Sequence, residues 1–170
     1  MPTAHTTTHT TIDPSTTQTV ATSAFAVDLE VITDVEAPAA DVWRTLTDTD
    51  RYAEWNPLIT SFEGEIAVGS RVTAVLQLPD RKPQTFRPRI VALDTGRSFT
   101  WLGRIGAPGV FDGRHHFEVQ PTSDGSCRFV HRERLSGVLV PAFRSLLTTT
   151  TPAGFAAMNR ALAERATRRG

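Results

Sequence analysis

The sequence predicts an α+β fold in which a curved antiparallel sheet of seven strands wraps around one long C-terminal helix. Seven short segments with apolar residues at every second position lie between turn residues, and connections this short make neighbouring strands antiparallel. Two short helical segments follow the first strand. From residue 139 to residue 162 the apolar side chains recur at steps of three or four, which is the period of a helix. One helix alone cannot fill a sheet of this length, so we expect a cavity between them.

The early elements have recognisable starts and stops. The first strand spans residues 25–35, where apolar and polar side chains alternate. Pro38 takes a first-turn position in the helix that follows, and Asn56-Pro57 ends the second short helical segment. The next four predicted strands are residues 58–65, 71–78, 85–93 and 98–103.

The strand at residues 85–93 is compatible with two orientations. Either Ile90 or Val91 belongs to the inward row, and the pattern does not decide between them. If Val91 faces inward, Arg87 and Arg89 do so as well, and a guanidinium there could bind a carboxylate or stabilise an oxyanion. In the other orientation both arginines lie on a solvated face.

The two ends of the chain differ in composition. Residues 1–24 are dominated by threonine and carry almost no large apolar side chains, so we predict a disordered tail, because burial cannot offset the entropy of ordering it. Residues 25–170 are predicted to form a single domain. Within the last helix, Pro152 follows four threonines, so the helix either kinks there or a new one starts.

The segment 111–135 is predicted to form a hairpin that carries three titratable side chains on its inner face. The parity that turns its aromatic residues inward also turns His115, His131 and Glu133 inward. A five-residue turn would place His115 opposite His131, and a three-residue turn would place it opposite Glu133. A two-residue turn contradicts the apolar pattern.

This polar cluster has three interpretations. In the first, the cluster is a hydrogen-bonded network that fixes the sheet. In the second, it is an acid-base site in which burial lowers the pKa of histidine while a nearby carboxylate raises that pKa. Two histidines and one carboxylate are also the ligand set of a non-haem iron site; we predict no metal and no cofactor.

Composition excludes several classes of partner. Lysine and arginine total 18, as do aspartate and glutamate, so no strong field attracts nucleic acid. No window is apolar for the ~18 residues that span a bilayer. Cys127 is the only cysteine, so an intrachain disulfide is impossible and a cytoplasmic location is expected. We predict a monomer or homodimer.

Five motifs carry a resemblance to a known family. They are APAADVWRTLTD (Ala37–Asp48), YAEWNP (Tyr52–Pro57), the Trp-x-Gly of Trp101–Gly103, PGVFDGRHHFEV (Pro108–Val119) and GFAAMNRAL (Gly154–Leu162). With these motifs, and with the order strand, two helices, six strands and long helix, residues 25–167 resemble the helix-grip fold of the START/Bet v 1-like (SRPBCC) superfamily. More narrowly, they resemble its polyketide cyclase/dehydrase group. The run Thr148–Pro152 departs from the charged helix formers expected there.

The resemblance implies an apolar pocket gripped by the last helix, and a small hydrophobic, polyketide-like ligand. The residues predicted to bind it are Trp55, Arg89, Trp101, Phe117, Phe129, Phe143, Phe155 and Met158. As a cyclase or dehydratase, the protein would use His131 or His115 to abstract a proton next to a carbonyl. Glu133 would orient the imidazole, and an arginine or backbone donor would stabilise the enolate. The alternative is a non-catalytic carrier or sensor of a hydrophobic ligand, in which the three polar residues are structural.

Overall fold

The computed structural model describes residues 6–168. Its strands are β1 Thr6–Asp13, β2 Thr16–Ser23, β3 Ala26–Val35, β4 Ile59–Glu63, β5 Thr73–Leu76, β6 Gln84–Phe86, β7 Arg89–Asp94, β8 Ser98–Ile105, β9 Phe111–Pro121 and β10 Cys127–Ser136. Its helices are α1 Ala39–Thr47, α2 Tyr52–Trp55 and α3 Val140–Thr167, with a 3-10 turn at Thr49–Arg51.

The strands form two antiparallel sheets. The larger has seven strands in the order β1-β2-β3-β10-β9-β8-β7, and the smaller has the order β4-β5-β6. Helix α3 packs mainly along β3. The predicted fold class is therefore confirmed, as are the number of strands in the main sheet, the long C-terminal helix and the two short helices after the predicted first strand.

The membership of the main sheet differs from the prediction, because the threonine-rich segment is not a disordered tail over its described part. Residues 6–23 form β1 and β2, and β2 pairs with β3 along eight residue pairs. Threonine is β-branched and suits a strand. The edge of β3 supplies backbone partners, so this hairpin needs only Val20 and Thr16 as buried side chains. Residues 1–5 of the predicted tail lie outside the described residues.

The predicted strand at residues 85–93 is two strands that belong to different sheets. Pro88 lies between β6 and β7, and Ile90 is completely buried. The inward row therefore contains Ile90, and Arg87 and Arg89 are both exposed. Arg89 donates a hydrogen bond from its guanidinium to the carbonyl oxygen of Gly69 at 3.0 Å. The prediction that Arg89 binds a ligand in the interior is wrong for this reason.

Helix α3 is a single helix that contains Pro152. Threonine hydroxyls before the proline donate to carbonyl oxygens one turn back, Thr148 to Arg144 at 3.0 Å and Thr149 to Ser145 at 2.7 Å. Pro152 has no N–H for the carbonyl oxygen of Thr148, whereas these hydroxyl bonds reach acceptors one turn earlier, so they do not replace the missing donor. The helix nevertheless continues through the run that departs from the family pattern.

The junction from β10 into α3 depends on Gly137. Its φ is +134°, and a Cβ built there would lie 2.4 Å from the carbonyl oxygen of Val110. This close approach lets the backbone N–H groups of Val138 and Leu139 donate to Gly109 and Val110 at 3.0 and 3.1 Å. Glycine at this position thus fixes where α3 begins over the sheet.

Candidate functional site

The register of the β9–β10 hairpin is the one that a three-residue turn requires. His115 is paired with Glu133, and His131 is paired with Phe117. The turn is stabilised by Asp124, whose carboxylate accepts a hydrogen bond from the backbone N–H of Ser126 at 3.0 Å. His115 and His131 are therefore diagonal neighbours on the inner face, and both side chains are long enough to meet.

A chain of polar contacts runs through the core from this hairpin to α3. The Nε2 atoms of His115 and His131 are 2.5 Å apart, and Nδ1 of His131 is 2.8 Å from Oδ1 of Asn159. Asn159 donates from Nδ2 to the carbonyl oxygen of Val31 and to the hydroxyl of Thr33, each at 3.2 Å. At the other end, Nδ1 of His115 lies 3.7 Å from Oε1 of Glu133.

Aromatic side chains enclose the two imidazoles. Phe155 of α3 stacks on His131 with ring centroids 3.9 Å apart, and Phe117 stacks on His115 at 4.4 Å. Trp101 meets His115 edge-on at 5.0 Å. The relative exposure of His115 is 1% and that of His131 is 0%, so both imidazoles are surrounded by apolar surface.

Burial makes the uncharged form of each member the stable one. It lowers the pKa of His131 to about 3, although the hydrogen bond to Asn159 works in the opposite direction. Burial, and then the neighbouring His131, lower the pKa of His115 well below its usual value. Burial also raises the pKa of Glu133 to about 8. At neutral pH the cluster is therefore a carboxylic acid beside two neutral imidazoles.

Glu133 is the member of the cluster nearest to solvent. Its side chain is 14% exposed, and it lies beside Gly113 on β9, where an added Cβ would be 3.0 Å from Oε1. Glycine therefore leaves room for the carboxyl group. Phe111 is two residues before Gly113 on the same inward row, and its ring contacts that of Phe143 at 5.9 Å. This aromatic pair therefore lies beyond Gly113, at the start of β9 and of α3.

The predicted ligand-binding residues fall into three environments. Trp101, Phe117, Phe129, Phe155 and Met158 are buried in the core. Trp55 is half-buried and meets Tyr52 edge-on with centroids 5.4 Å apart. Phe143 is 45% exposed at the start of α3, so it lies at the edge of the core rather than inside it, and its part in ligand binding stays a prediction.

Two surface cavities border this core without reaching the imidazoles. One, of about 360 Å³, lies over the outer face of the sheet, and its lining includes Arg114, His116, Arg132 and the cluster member Glu133. The other, of about 710 Å³, lies between the β1–β2 turn and the last turns of α3, and Thr16 and Thr33 line it. Neither lining includes His115 or His131. A ligand that touches these imidazoles must therefore displace core side chains.

Sequence reasoning missed Asn159. It lies four residues after Phe155 and three before Leu162, on the buried side of α3, and its exposure is 0%. An amide among apolar residues at helical spacing was the available signal, because a buried amide needs partners. The partners themselves come from β3 and β10, and helical periodicity alone does not identify them.

The geometry does not suit the iron-site interpretation of the cluster. The two Nε2 atoms point at each other at 2.5 Å, whereas two nitrogens bound to one metal each lie about 2.0–2.1 Å from it in different directions. Across residues 6–168, no group of three or more His, Cys, Asp or Glu side chains is arranged to hold a metal ion. Over the same residues, no helix is both long and apolar enough to cross a membrane.

A seven-stranded antiparallel sheet around a long C-terminal helix, with a buried polar cluster in the contact between them, defines a helix-grip protein. The chain belongs to the family described as polyketide cyclase / dehydrase and lipid transport, whose model matches residues 26–169. Membership in this family supports the binding of small hydrophobic molecules.

Solved structures with the same fold include two aromatase/cyclases. The di-domain ARO/CYC StfQ from the steffimycin biosynthetic pathway is 19% identical with a TM-score of 0.68, over 85% of this chain and 52% of that one. This chain thus spans about half the length of StfQ. Zhui aromatase/cyclase from Streptomyces sp. R1128 is 21% identical with a TM-score of 0.69, over 85% of this chain and 95% of that one.

A third similar structure comes from a plant enzyme. Norcoclaurine synthase from Thalictrum flavum, in complex with dopamine and hydroxybenzaldehyde, is 15% identical with a TM-score of 0.65, over 85% of this chain and 88% of that one. Likeness at these identities shows the fold alone. A search of curated proteins found no match.

Proposed function

We propose that this protein binds a small, largely apolar polyketide-like molecule and catalyses its cyclisation or dehydration, with Glu133 and His115 as the acid-base pair. The observation that carries the proposal is the neutral Glu133–His115–His131 cluster, in which Glu133 is the member nearest to solvent. The family and the two aromatase/cyclases of the same fold support the substrate class.

The neutral state of the cluster suits proton transfer between carbon and oxygen. The carboxylic acid of Glu133 donates its proton to a carbonyl oxygen, while the lone pair on Nδ1 of His115 accepts a proton from the adjacent carbon. The products of this step are an enol, a carboxylate and an imidazolium. Proton return from His115 to Glu133, which is 3.7 Å away, restores both groups, and the enol carbon is then ready to attack a second carbonyl.

Access is the structural requirement of this mechanism. Because His115 is 1% exposed, the ligand must enter under the first turns of α3 and move the aromatic residues that cover the imidazole. We take Phe143 and Phe111, whose rings contact each other beside the start of α3, as the side chains at that entrance. Their partial exposure makes them the natural first contacts for an aromatic or polyketide ligand.

The second candidate is a non-catalytic carrier. The complete burial and hydrogen bonding of both imidazoles favour it, since a network of this kind stabilises a core whatever the function. In a carrier the ligand would occupy the same entrance without any proton transfer.

One pair of variants separates the two functions. Aromatic and linear poly-β-ketone compounds are screened for binding by thermal shift, and bound compounds are then assayed for cyclised or dehydrated products by mass spectrometry. We expect Glu133→Gln to lower turnover by ~10²-fold or more and to keep affinity within about tenfold. Glu30→Gln, on the outer face where Glu30 pairs with Arg132, is the control and should keep full turnover. Binding without product from the unaltered protein would instead establish a carrier.

A further inference from the structure

The orientation of the Asn159 side chain follows from its hydrogen-bond partners. Nδ2 lies 3.2 Å from the carbonyl oxygen of Val31, and a backbone carbonyl can only accept. The second hydrogen on Nδ2 is directed to the hydroxyl oxygen of Thr33 at 3.2 Å. A flipped amide would place two acceptors against each other at Val31. Oδ1 is therefore the atom that faces His131.

This orientation determines which nitrogen of His131 carries the proton. Oδ1 of Asn159 is an acceptor, so Nδ1 of His131, at 2.8 Å, must donate. A neutral imidazole has one N–H, which leaves Nε2 of His131 with a lone pair. Nε2 of His115, at 2.5 Å, must then donate to it. His115 consequently keeps its lone pair on Nδ1, the atom that faces Glu133.

We propose that Asn159 is a positioning residue that holds His131 in the Nδ1–H tautomer and, through it, His115 in the Nε2–H tautomer. The direction of every hydrogen bond from Glu133 to β3 is then set by one amide on α3. Free neutral histidine prefers the Nε2–H form, so the tautomer of His131 is the one that its surroundings must impose. The catalytic consequence, a base at Nδ1 of His115, rests on the proposed function, but the tautomers do not.

Long-range ¹H–¹⁵N correlation spectra of ¹⁵N-histidine-labelled protein at pH 7 test the assignment directly. We expect His131 to show an Nδ1–H pattern and His115 an Nε2–H pattern. The resonances of His131 are assigned as those missing from the spectrum of His131→Gln, and the resonances of His115 as those missing from the spectrum of His115→Gln. An Nε2–H pattern for His131 in the unaltered protein would overturn the proposal.

Two variants then test the role of the amide. In Asn159→Leu the acceptor is lost, and we expect His131 to change to Nε2–H and His115 to Nδ1–H. In Thr33→Val, Asn159 loses one acceptor but keeps Val31, so both tautomers should stay as in the unaltered protein. Retention of Nδ1–H on His131 in Asn159→Leu would refute the role of Asn159. If Asn159→Leu does not fold, Asn159→Asp replaces it; its carboxylate still accepts from Nδ1, and loss of the Nδ1–H pattern there would contradict the proposal.

Turnover provides a separate measurement. With the proton moved to Nδ1 of His115, the base is lost, and we expect Asn159→Leu to lower kcat by ~10²-fold while KM changes little. Correct tautomers combined with an absence of turnover in the unaltered protein would reject the proposed function and leave the role of Asn159 intact.

Discussion

At the scale of single residues, stability depends on keeping the Glu133–His115–His131 cluster uncharged. An unfolded chain releases the Glu133 proton near its ordinary pKa of 4.5, whereas the folded protein holds it up to about 8. The unfolded chain also protonates His131 below about 6.5, whereas the folded protein does so only near 3. Unfolding therefore takes up a proton on His131 between about pH 3 and 6.5, and it releases a proton from Glu133 between about pH 4.5 and 8.

Glu133→Gln should remove the part of the pH dependence of stability that comes from the Glu133 carboxyl, between about pH 4.5 and 8. The Glu133 carboxyl makes a contribution to stability that falls as pH rises from 4.5 to about 8, because in the unfolded state this group binds fewer protons there. The buried histidines oppose this trend below about pH 6.5, so the comparison with a variant isolates the carboxyl. Relative to the unaltered protein, the glutamine variant should gain roughly 1.4 kcal/mol of unfolding free energy for each pH unit in this window. Above about pH 8 the difference should stay constant. Urea unfolding of both proteins at several pH values measures the difference. A constant difference between pH 5 and 8 would contradict a buried neutral acid.

Loss of His131 should be more damaging than loss of another histidine on the same sheet. His131→Leu removes the partner of Asn159 and of His115 inside the core, and each unpaired buried group costs ~1–3 kcal/mol. His116 bonds to Thr100 at 2.8 Å on the outer face and is partly exposed, so His116→Leu should cost less than about 1 kcal/mol. Denaturant midpoints of the two variants compare them, and equal losses would argue against the buried network.

The sequence predicted much of this residue-scale arrangement. Strand parity placed all three titratable side chains inward, and the three-residue turn was one of its two allowed registers. The diagonal contact between the imidazoles could not be predicted, because it depends on the twist of the two strands and on Phe155 stacking from α3. Asn159 was missed for the related reason that its partners come from strands far away in the sequence.

At the scale of elements, the position of α3 follows from its entry at Gly137. The positive φ and the 2.4 Å approach to Val110 leave no space for a side chain. The periodicity of α3 was predictable from sequence. The passage through Pro152 in one helix was not, because a proline inside a helical pattern is compatible both with a kinked helix and with the start of a new one.

Gly137→Ala should therefore destabilise the protein more than the same substitution at Gly96, another glycine with a positive φ. Gly96 has a φ of +85° and no atom within 4 Å of an added Cβ, so Gly96→Ala should cost only the ~1–2 kcal/mol of a left-handed residue. At Gly137 the clash with backbone adds to this strain, and we expect a loss at least about 2 kcal/mol larger. Thermal and urea unfolding of both variants test the comparison. Losses of similar size would mean that α3 can shift without penalty.

At the scale of the whole molecule, the sheet extends beyond the part that hydrophobic patterning could identify. The number of strands in the main sheet was predicted correctly, but two of its members were not. The predicted strands at residues 58–65 and 71–78 belong with β6 to a separate sheet, and β1 and β2 take their places in the main sheet. Patterning detects strands that bury side chains. Hairpin β1–β2 is stabilised largely by backbone pairing to β3, which leaves little hydrophobic signal.

Two truncations measure the contribution of this hairpin. Removal of residues 1–24 exposes the β3 edge and loses buried Val20 and Thr16, so we expect a loss of at least about 2 kcal/mol and a tendency to aggregate. Removal of residues 1–12 takes most of β1, whose side chains are exposed, and should cost less than about 1 kcal/mol. Light scattering and urea unfolding compare the two proteins. A stable, monodisperse product of the longer truncation would show that the hairpin is dispensable.

The claim on which the proposed chemistry depends most is that Glu133 is a carboxylic acid at neutral pH. A ¹³C NMR titration of the side-chain carboxyl of Glu133, assigned by its absence in Glu133→Gln, measures this protonation directly. The structure predicts a midpoint near 8, because burial disfavours the carboxylate. A midpoint near the ordinary value of 4.5 would mean that Glu133 is ionised at pH 7, and it would contradict both the neutral cluster and the acid-base role built on it.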